Sequence, residues 1–219
     1  MLRYLYKSEL DAFPHLRDSM YSDRVYQFKT LLNWDVSVND LGQEVDEYDI
    51  LNPLYVIWED VSGRHAGSMR LMPTTGRCMV NEYFTDLLGG GSIQSPFMRE
   101  STRFCLSRYA PRETAARLTL SAGEVMLGCG VEQCLGVFDQ RMIRIYRLLG
   151  SSPNLIAQTG QGKEFIGIGL WTLDAVQREQ ICQIAEVEPQ ESEQWFFDKY
   201  KSTQSELLIV YKPFLMLAV

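Results

Sequence analysis

"PFMRESTRFCL", residues 96–106, mixes core and charge in a way that sets the reading of the whole chain. Phe97, Met98, Phe104, Cys105 and Leu106 belong to a buried strand, yet Arg99, Glu100 and Arg103 stand among them. Successive side chains of a regular strand point to opposite faces, so Glu100 and Arg103 would part company. For both to serve one site the strand must bulge, and the expected place is Ser101–Thr102; bulges re-aim side chains beside active sites. A charge in an apolar interior is tolerated when it is paired or needed for a ligand or a reaction.

Outward from this strand the elements alternate. "LYVIWED" (54–60) and "AGSMRLMP" (66–73) bracket "VSGRH" as a hairpin whose second strand carries Arg70 between Met69 and Met72. "LRYLY" opens the chain as a short strand. Residues 8–32 follow with a helical period in Leu10, Phe13, Leu16, Met20 and Val25. The polar stretch "NWDVSVNDLGQEVDEYD" is a loop offering Asp46 and Asp49. A helix is expected near Glu82–Leu88, stopped by the glycines that follow. Pro111 is expected in the first turn of a helix over 112–128. "QCLGVF" is a strand, and "DQRMIRIYRLLG" a helix with Asp139 as N-cap and Gly150 as stop. "NLIAQ" and "EFIGIGLWTL" add two strands, 175–200 is helical, and "LLIVYKPFLMLAV" reads as a terminal core strand. No repeat or linker divides residues 1–219, so one α/β domain with a mixed sheet covered by helices is expected.

The 219 residues carry a net charge of −7, which disfavours nucleic acid and anionic membranes as general partners. No stretch reaches the roughly 20 apolar residues of a membrane helix, and the first residues lack a signal-peptide core. Five cysteines without paired spacing fit a reduced, cytoplasmic protein. His15 and His65 are the two histidines, both read as surface residues, so a histidine-based nucleophilic mechanism and a zinc centre are excluded. "GQGK" (160–163) lacks the spacing of a phosphate loop.

What remains is a set of charges and aromatics spread along the chain: Arg24, Phe28 and Trp34; Asp46 and Asp49; Arg70 within "RLMPT"; Phe84; and Glu100, Arg103 and Phe104. In order and spacing this set resembles the acyl-homoserine lactone synthases, the autoinducer synthases of bacterial quorum sensing. The likeness is most specific over residues 1–110, looser over 111–160, and carries no weight past 175. It implies an N-acyltransferase-like (GNAT-type) three-layer α/β sandwich, with a V-shaped cleft between central strands. Residues 1–50 would cover a site for S-adenosylmethionine.

The resemblance also implies a reaction: an acyl group passes from an acyl carrier protein, or from acyl-CoA, to the amine of S-adenosylmethionine. Lactonisation then releases methylthioadenosine, with no cofactor and no metal. Phe28 and Trp34 would face the sulfonium. Asp46 would hold the ammonium, with Arg24 or Arg103 on the substrate carboxylate or on the acidic pair, beside Asp49 and Arg70. Glu100, its pKa raised by burial, would be the base. Backbone N–H groups freed by the bulge would stabilise the oxyanion, and Thr102 and Phe104 would line the acyl chain. Arg141, Arg144 and Arg147 form one helical stripe suited to an acidic carrier protein. The absence of threonine in "EQCLGVF" leans toward an acyl chain without a 3-oxo group. The alternatives are an acyl-CoA-dependent N-acyltransferase of the same fold acting on another amine, and a ligand-binding regulator without turnover.

Overall fold

The computed structural model describes residues 1–201. Seven strands form one sheet: β1 (Leu2–Tyr6), β2 (Leu54–Glu59), β3 (His65–Pro73), β4 (Met98–Leu106), β5 (Gln133–Asp139), β6 (Asn154–Thr159) and β7 (Ile166–Trp171). Their order is β1-β2-β3-β4-β5-β7-β6, and every neighbouring pair is antiparallel except β4 with β5. Helices α1 (Lys7–Leu10), α2 (Pro14–Arg24) and α3 (Met79–Tyr83) precede β4. Helices α4 (Thr114–Cys129), α5 (Gln140–Leu148), α6 (Ala175–Ala185) and α7 (Pro189–Trp195) follow it. The proposed terminal strand "LLIVYKPFLMLAV" lies outside the described residues.

The period-2 pattern decides what each face meets. Val56, Met69 and Leu71 pack against Leu118, Ala122, Val125 and Met126 of α4. The alternate residues Tyr55 and Ile57 meet Leu16, Met20 and Tyr21 of α2. Strand β3 is buried on both faces over its first eight residues, so Arg70 is lodged in the interior on the α2 side. Helices α6 and α7 close the far side of α4 through Ile181, Cys182, Ala185 and Val187. Shortening Met20, Ile57, Leu118 or Ile181, all fully buried, to alanine costs about 2–5 kcal/mol.

The one parallel pair is also where the sheet opens. β4 and β5 are in register only from Met98↔Gln133 to Glu100↔Leu135. Beyond that point β4 continues along β3 to Leu106 and β5 along β7 to Asp139, which leaves a V between them. At the apex Gly136 lies so near β4 that a Cβ there would sit 3.2 Å from the Ser101 carbonyl and 3.1 Å from the Trp171 ring. On the edge turned away from β3, the Phe104 carbonyl accepts from the Gln27 side-chain N–H and the Leu106 N–H donates to the Gln27 side-chain oxygen, at 2.8 Å each.

The bulge is present but further along than expected. Ser68 pairs with Cys105 and Arg70 with Thr102, so Arg103 and Phe104 together oppose Met69. Arg103 takes a left-handed φ of 53°, which a side chain adopts only where its surroundings compel it. That single turn brings Arg103 onto the face of Thr102 and Glu100, while Phe104 points to the α4 side.

Three boundaries differ from the sequence expectation. The helix sought at Glu82–Leu88 is α3, earlier by three residues, followed by a separate tight turn at Asp86–Leu88. Pro111 precedes α4, whose first residue is Thr114, and its carbonyl receives the Thr114 N–H. His65 is the first residue of β3 and is 2% exposed, not a surface residue. Its ring bridges Asp23 (2.8 Å) and Ser68 (2.9 Å), which is how a histidine is satisfied in the interior.

Candidate active site

Arg24 ends α2, and from there the chain widens into a π-helical turn, Val25–Leu31, that carries Phe28 inward. Asn33 reverses the chain with φ 53°, so the Trp34 N–H donates to the Phe28 carbonyl at 2.9 Å. The two rings stack with centroids 5.2 Å apart and planes 12° apart. Phe28 is buried, Trp34 is 40% exposed, and the Arg103 guanidinium sits 5.4 Å from the Phe28 centroid.

The acidic loop folds beneath them. Three carboxylates meet three guanidinium groups in a closed network. Arg24 holds Glu44 (2.5 Å) and grips Asp49 with both terminal nitrogens (3.2 and 3.0 Å). Arg70 reaches Asp46 (2.5 and 2.9 Å) and Asp49 (2.8 Å), and its Nε donates to Thr102 Oγ1 at 2.9 Å. Arg103 pairs with Glu44 (2.9 Å) and Asp46 (2.8 Å). Tyr55 donates its hydroxyl to Asp49. The loop organises itself as well: Tyr48 and Asp49 N–H groups donate to Asp46, and the Asp46 N–H to Asp49.

The network is neutral as a whole, which offsets the desolvation of six buried or nearly buried charges. Burial alone would raise the Asp49 carboxyl, but Arg24 and Arg70 reverse this and hold it well below its ordinary range. Burial acts against the charge of Arg24, and Asp49 and Glu44 restore it. Among the three arginines only Arg103 keeps appreciable solvent contact, 13% of its side chain, so the network presents one cation outward.

Glu100 belongs to this face but not to this network. Its two carboxylate oxygens accept the first N–H groups of α3, from Met79 at 3.0 Å and Val80 at 2.7 Å. It is fully buried and has no arginine partner among the described residues. Burial raises its pKa, opposed in part by those two N–H groups and by the field of Arg70, and reinforced by Asp46. Helix α3 is in turn fastened to the acidic loop. The Tyr48 hydroxyl donates to Glu82 (2.8 Å), that of Tyr83 to Glu47 (2.6 Å), and the Tyr48 ring lies between Arg70 and Arg77.

The structure therefore draws together Arg24, Phe28, Trp34, Asp46, Asp49, Arg70, Thr102 and Arg103, with Glu100 alongside. Asp46 is engaged by two arginines, and Thr102 orients Arg70. Phe104 packs on the α4 side of the sheet, and Phe84 lies beneath α3 with Val80 and Met98. Glu44 was overlooked in the sequence, although its spacing of two from Asp46 puts both on one side of an extended loop. Gln27 gave no sequence signal at all. Arg141, Arg144 and Arg147 are all exposed on α5, far from this network in the chain order of the sheet; Arg141 is tied to Asp139 at 2.5 Å. Among the described residues no group of three or more His, Cys, Asp or Glu is arranged to hold a metal ion. No described helix is long and apolar enough to cross a membrane.

Both the sequence and the fold are similar to those of known proteins. The autoinducer synthase family profile matches residues 7–181. An acyl-homoserine-lactone synthase of Rhizobium etli is 33% identical over 182 residues, covering 80% of this chain and 85% of the relative. The chain belongs to the autoinducer synthase family. Its fold matches the structure of a CoA-dependent acyl-homoserine lactone synthase, BjaI, with SAM and isopentyl-CoA, at a TM-score of 0.76 and 17% identity, over 85% of this chain and 90% of that one. It extends to a putative N-acetyltransferase from Lactobacillus plantarum at a TM-score of 0.52 and 14% identity, over 78% and 99% of the two chains. The N-acyltransferase-like sandwich expected from the sequence is therefore the fold of this autoinducer synthase.

Proposed function

We propose that this autoinducer synthase makes an N-acyl-homoserine lactone from S-adenosylmethionine and an acyl thioester. The observation that carries the assignment of roles is the contrast among its carboxylates. Glu44, Asp46 and Asp49 are each held by arginines, whereas Glu100 has none and its pKa is raised. A base must give up its own hydrogen-bond partners and take a proton, and Glu100 is the carboxylate placed to do so, directly or through a water.

In the first step the substrate ammonium gives one proton to Glu100, and the freed amine attacks the thioester carbonyl in the V. The new C–N bond forms, the C–S bond breaks, and the nitrogen's second proton leaves with the thiol while the first stays on Glu100. In the second step an oxygen of the substrate carboxylate attacks the carbon next to the sulfonium. That C–S bond breaks, its electron pair stays on sulfur, methylthioadenosine departs and the five-membered lactone closes. The second step is intramolecular, so positioning supplies much of its rate.

Trp34 and Phe28 offer an aromatic wall for the sulfonium, a contact worth on the order of 0.5–2 kcal/mol. Arg103, the outward cation of the network, suits the substrate carboxylate. Because Asp46 is already shared between Arg70 and Arg103, its part is to hold those two guanidinium groups, and it meets the ammonium only at its small exposed edge. Arg24, Arg70 and Asp49 set the position of all three. The acyl chain is assigned to the α4 side of the V, beside Phe104, with Thr102 serving Arg70.

For the donor we favour an acyl carrier protein, with acyl-CoA as the alternative. Arg144 and Arg147 of α5 have no carboxylate partner among the described residues, and they suit an acidic protein. The test is a mass balance. Purified protein given S-adenosylmethionine and an acyl thioester is expected to yield acyl-homoserine lactone and methylthioadenosine in equal amounts. Thioester consumption without methylthioadenosine would reassign the chain to acylation of another amine.

A further inference from the structure

Glu100 is held by a helix too short to hold itself. Helix α3 has five residues, and a helix of that length takes its place from what it touches and not from its own hydrogen bonds. Two sets of contacts fix it. On the sheet side Val80 is fully buried with Met98, Leu135 and Ile168. The Asn81 side chain there donates to the Ile93 carbonyl at 2.9 Å and accepts from the Ile93 N–H at 2.8 Å. On the other side Glu82 accepts from Tyr48 at 2.8 Å and from Arg77 at 2.7 and 2.9 Å, and Tyr83 donates to Glu47 at 2.6 Å. Arg77 and Tyr83 are exposed, where water competes for the same bonds. Tyr48 is buried, its ring beside the Arg70 guanidinium and its N–H on Asp46 at 3.0 Å. A chain of contacts thus runs from Asp46 through Tyr48 and Glu82 to the helix whose first N–H groups hold Glu100.

We infer that Tyr48 and Glu82 are positioning residues: their hydrogen bond sets the roll of α3 and, through the Met79 and Val80 N–H groups, how firmly Glu100 is held. The inference rests on Glu100 as the base in the reaction above and adds what controls that base. Val80 is anchored in the core, so loosening the Tyr48–Glu82 bond turns the helix about Val80. The Met79 N–H, the longer of the two bonds at 3.0 Å, is drawn away first. Both N–H groups favour the charged carboxylate, so a slacker hold lets Glu100 keep a proton to higher pH. The other charged or titratable groups whose fields meet at Glu100 are Arg70 of β3, Asp46 of the acidic loop, Cys78 ahead of α3 and Cys134 of β5. None of these is replaced in the test.

The experiment follows methylthioadenosine release from S-adenosylmethionine and an acyl thioester against pH. It compares the wild type with Tyr48→Phe, Glu82→Ala, the two combined, and Glu82→Gln, each checked for folding by circular dichroism. In Tyr48→Phe the acid limb of kcat is expected to move to higher pH, and the plateau to fall roughly tenfold as the base loses its alignment. The KM for S-adenosylmethionine should stay within about twofold of wild type, because the arginine–carboxylate network is untouched. Glu82→Ala should move the limb in the same direction, and the combined variant no further than the larger single change, since both break one bond. Glu82→Gln keeps an acceptor for the Tyr48 hydroxyl and should hold the limb near its wild-type position. A limb in Tyr48→Phe that stays put or moves to lower pH overturns the inference, as do shifts that add in the combined variant. A shift in Glu82→Gln as large as in Glu82→Ala would assign the effect to Arg77 and overturn it too. Glu100→Gln, run alongside, separates the two readings. If that variant keeps the acid limb, Glu100 is not the base, and the reading of the reaction falls together with the inference. If it loses the limb while Tyr48→Phe leaves it unmoved, the inference alone falls.

Discussion

Two buried ionic clusters lie on opposite faces of the sheet, and only one has the marks of a working site. On the α4 side, Arg178 of α6 donates to Glu124 of α4 at 2.8 Å. Ser192 of α7 donates to the same oxygen at 2.6 Å, and Arg178 also reaches the Pro189 carbonyl at 2.7 Å. One cation, one anion and one hydroxyl tie three helices together. On the α2 side, three cations and three anions come from α2, the acidic loop, β3 and β4. That is far more charge than fastening requires, and it includes a residue held at positive φ, a half-exposed aromatic stack and an adjacent carboxylate with a raised pKa. Excess charge, backbone strain and an odd carboxylate set a site apart from a clamp.

The two clusters are expected to respond differently to the same kind of damage. Replacing Arg24 by leucine leaves Glu44 and Asp49 buried without their shared cation, and unfolding by urea is expected to show a loss of about 3–5 kcal/mol. Replacing Arg178 by methionine is expected to cost less, about 1–3 kcal/mol, because Ser192 still serves Glu124. Lactone formation in that variant should stay near normal below its melting temperature. Loss of turnover in Arg178→Met at full folding would mean that the clamp takes part in function and would break the contrast.

Acid separates the groups further. Asp49, its pKa held down in the fold, contributes stability that is present above pH 3.8, the ordinary value, and is lost as pH falls through its folded value. His65 is pushed down by burial, against the pull of Asp23. Its contribution is present above pH 6.5 and is lost as pH falls below it, because the unfolded chain then binds the extra proton. Asp23 and the Ser68 hydroxyl contact the ring, and the charges of Arg24 and Asp60 also act on it. Replacing His65 by glutamine should flatten stability against pH between 6.5 and 5, where the wild type loses up to about 1.4 kcal/mol per pH unit. An unchanged slope would show that His65 titrates as it does in the unfolded chain. Glu100 has the opposite sign: its raised pKa favours the folded state below pH 4.5, and that contribution fades as pH rises through the folded value. Turnover should therefore show an acid limb centred above 4.5, and a limb at or below 4.5 would contradict a base shifted upward by burial.

The smallest expected effect is at the surface. Reversing Arg144 and Arg147 to glutamate should raise KM for acyl-carrier protein several-fold at low salt, and less at high salt. An unaltered KM would remove α5 from donor docking.

The strand "PFMRESTRFCL" showed in sequence that charge was being driven inward, because Glu100 and Arg103 had core neighbours and nothing else explained them. It also required a bulge, since parity alone forbids the two from sharing a face. The position of the bulge was not legible: which residue turns left-handed is decided by Gln27, Glu44 and Asp46, which come from other segments. For the same reason Glu44 read as one more acid in a polar loop, and Asp46 read as free for a ligand. His65 looked like a turn residue because the hairpin is short; Asp23 is distant in sequence, and Ser68, three residues further along β3, meets the ring only because the pairing with β2 shifts register between Trp58 and Glu59. Element types were readable from period and caps, as at Asp139, whose side chain accepts the Arg141 N–H at 2.9 Å. Pairings across the fold were not.

The central claim is that Glu100, alone among the site's carboxylates, moves the proton. Single-turnover acyl transfer in Glu100→Gln tests it most directly, alongside calorimetric binding of S-adenosylmethionine. The substitution keeps one acceptor for the α3 N–H groups, so the fold should lose only about 1–2 kcal/mol. The account predicts S-adenosylmethionine binding within a few-fold of wild type and acyl transfer slowed roughly 10²–10⁴-fold. Acyl transfer at near wild-type rate, with binding intact, would contradict it and reduce Glu100 to a helix cap.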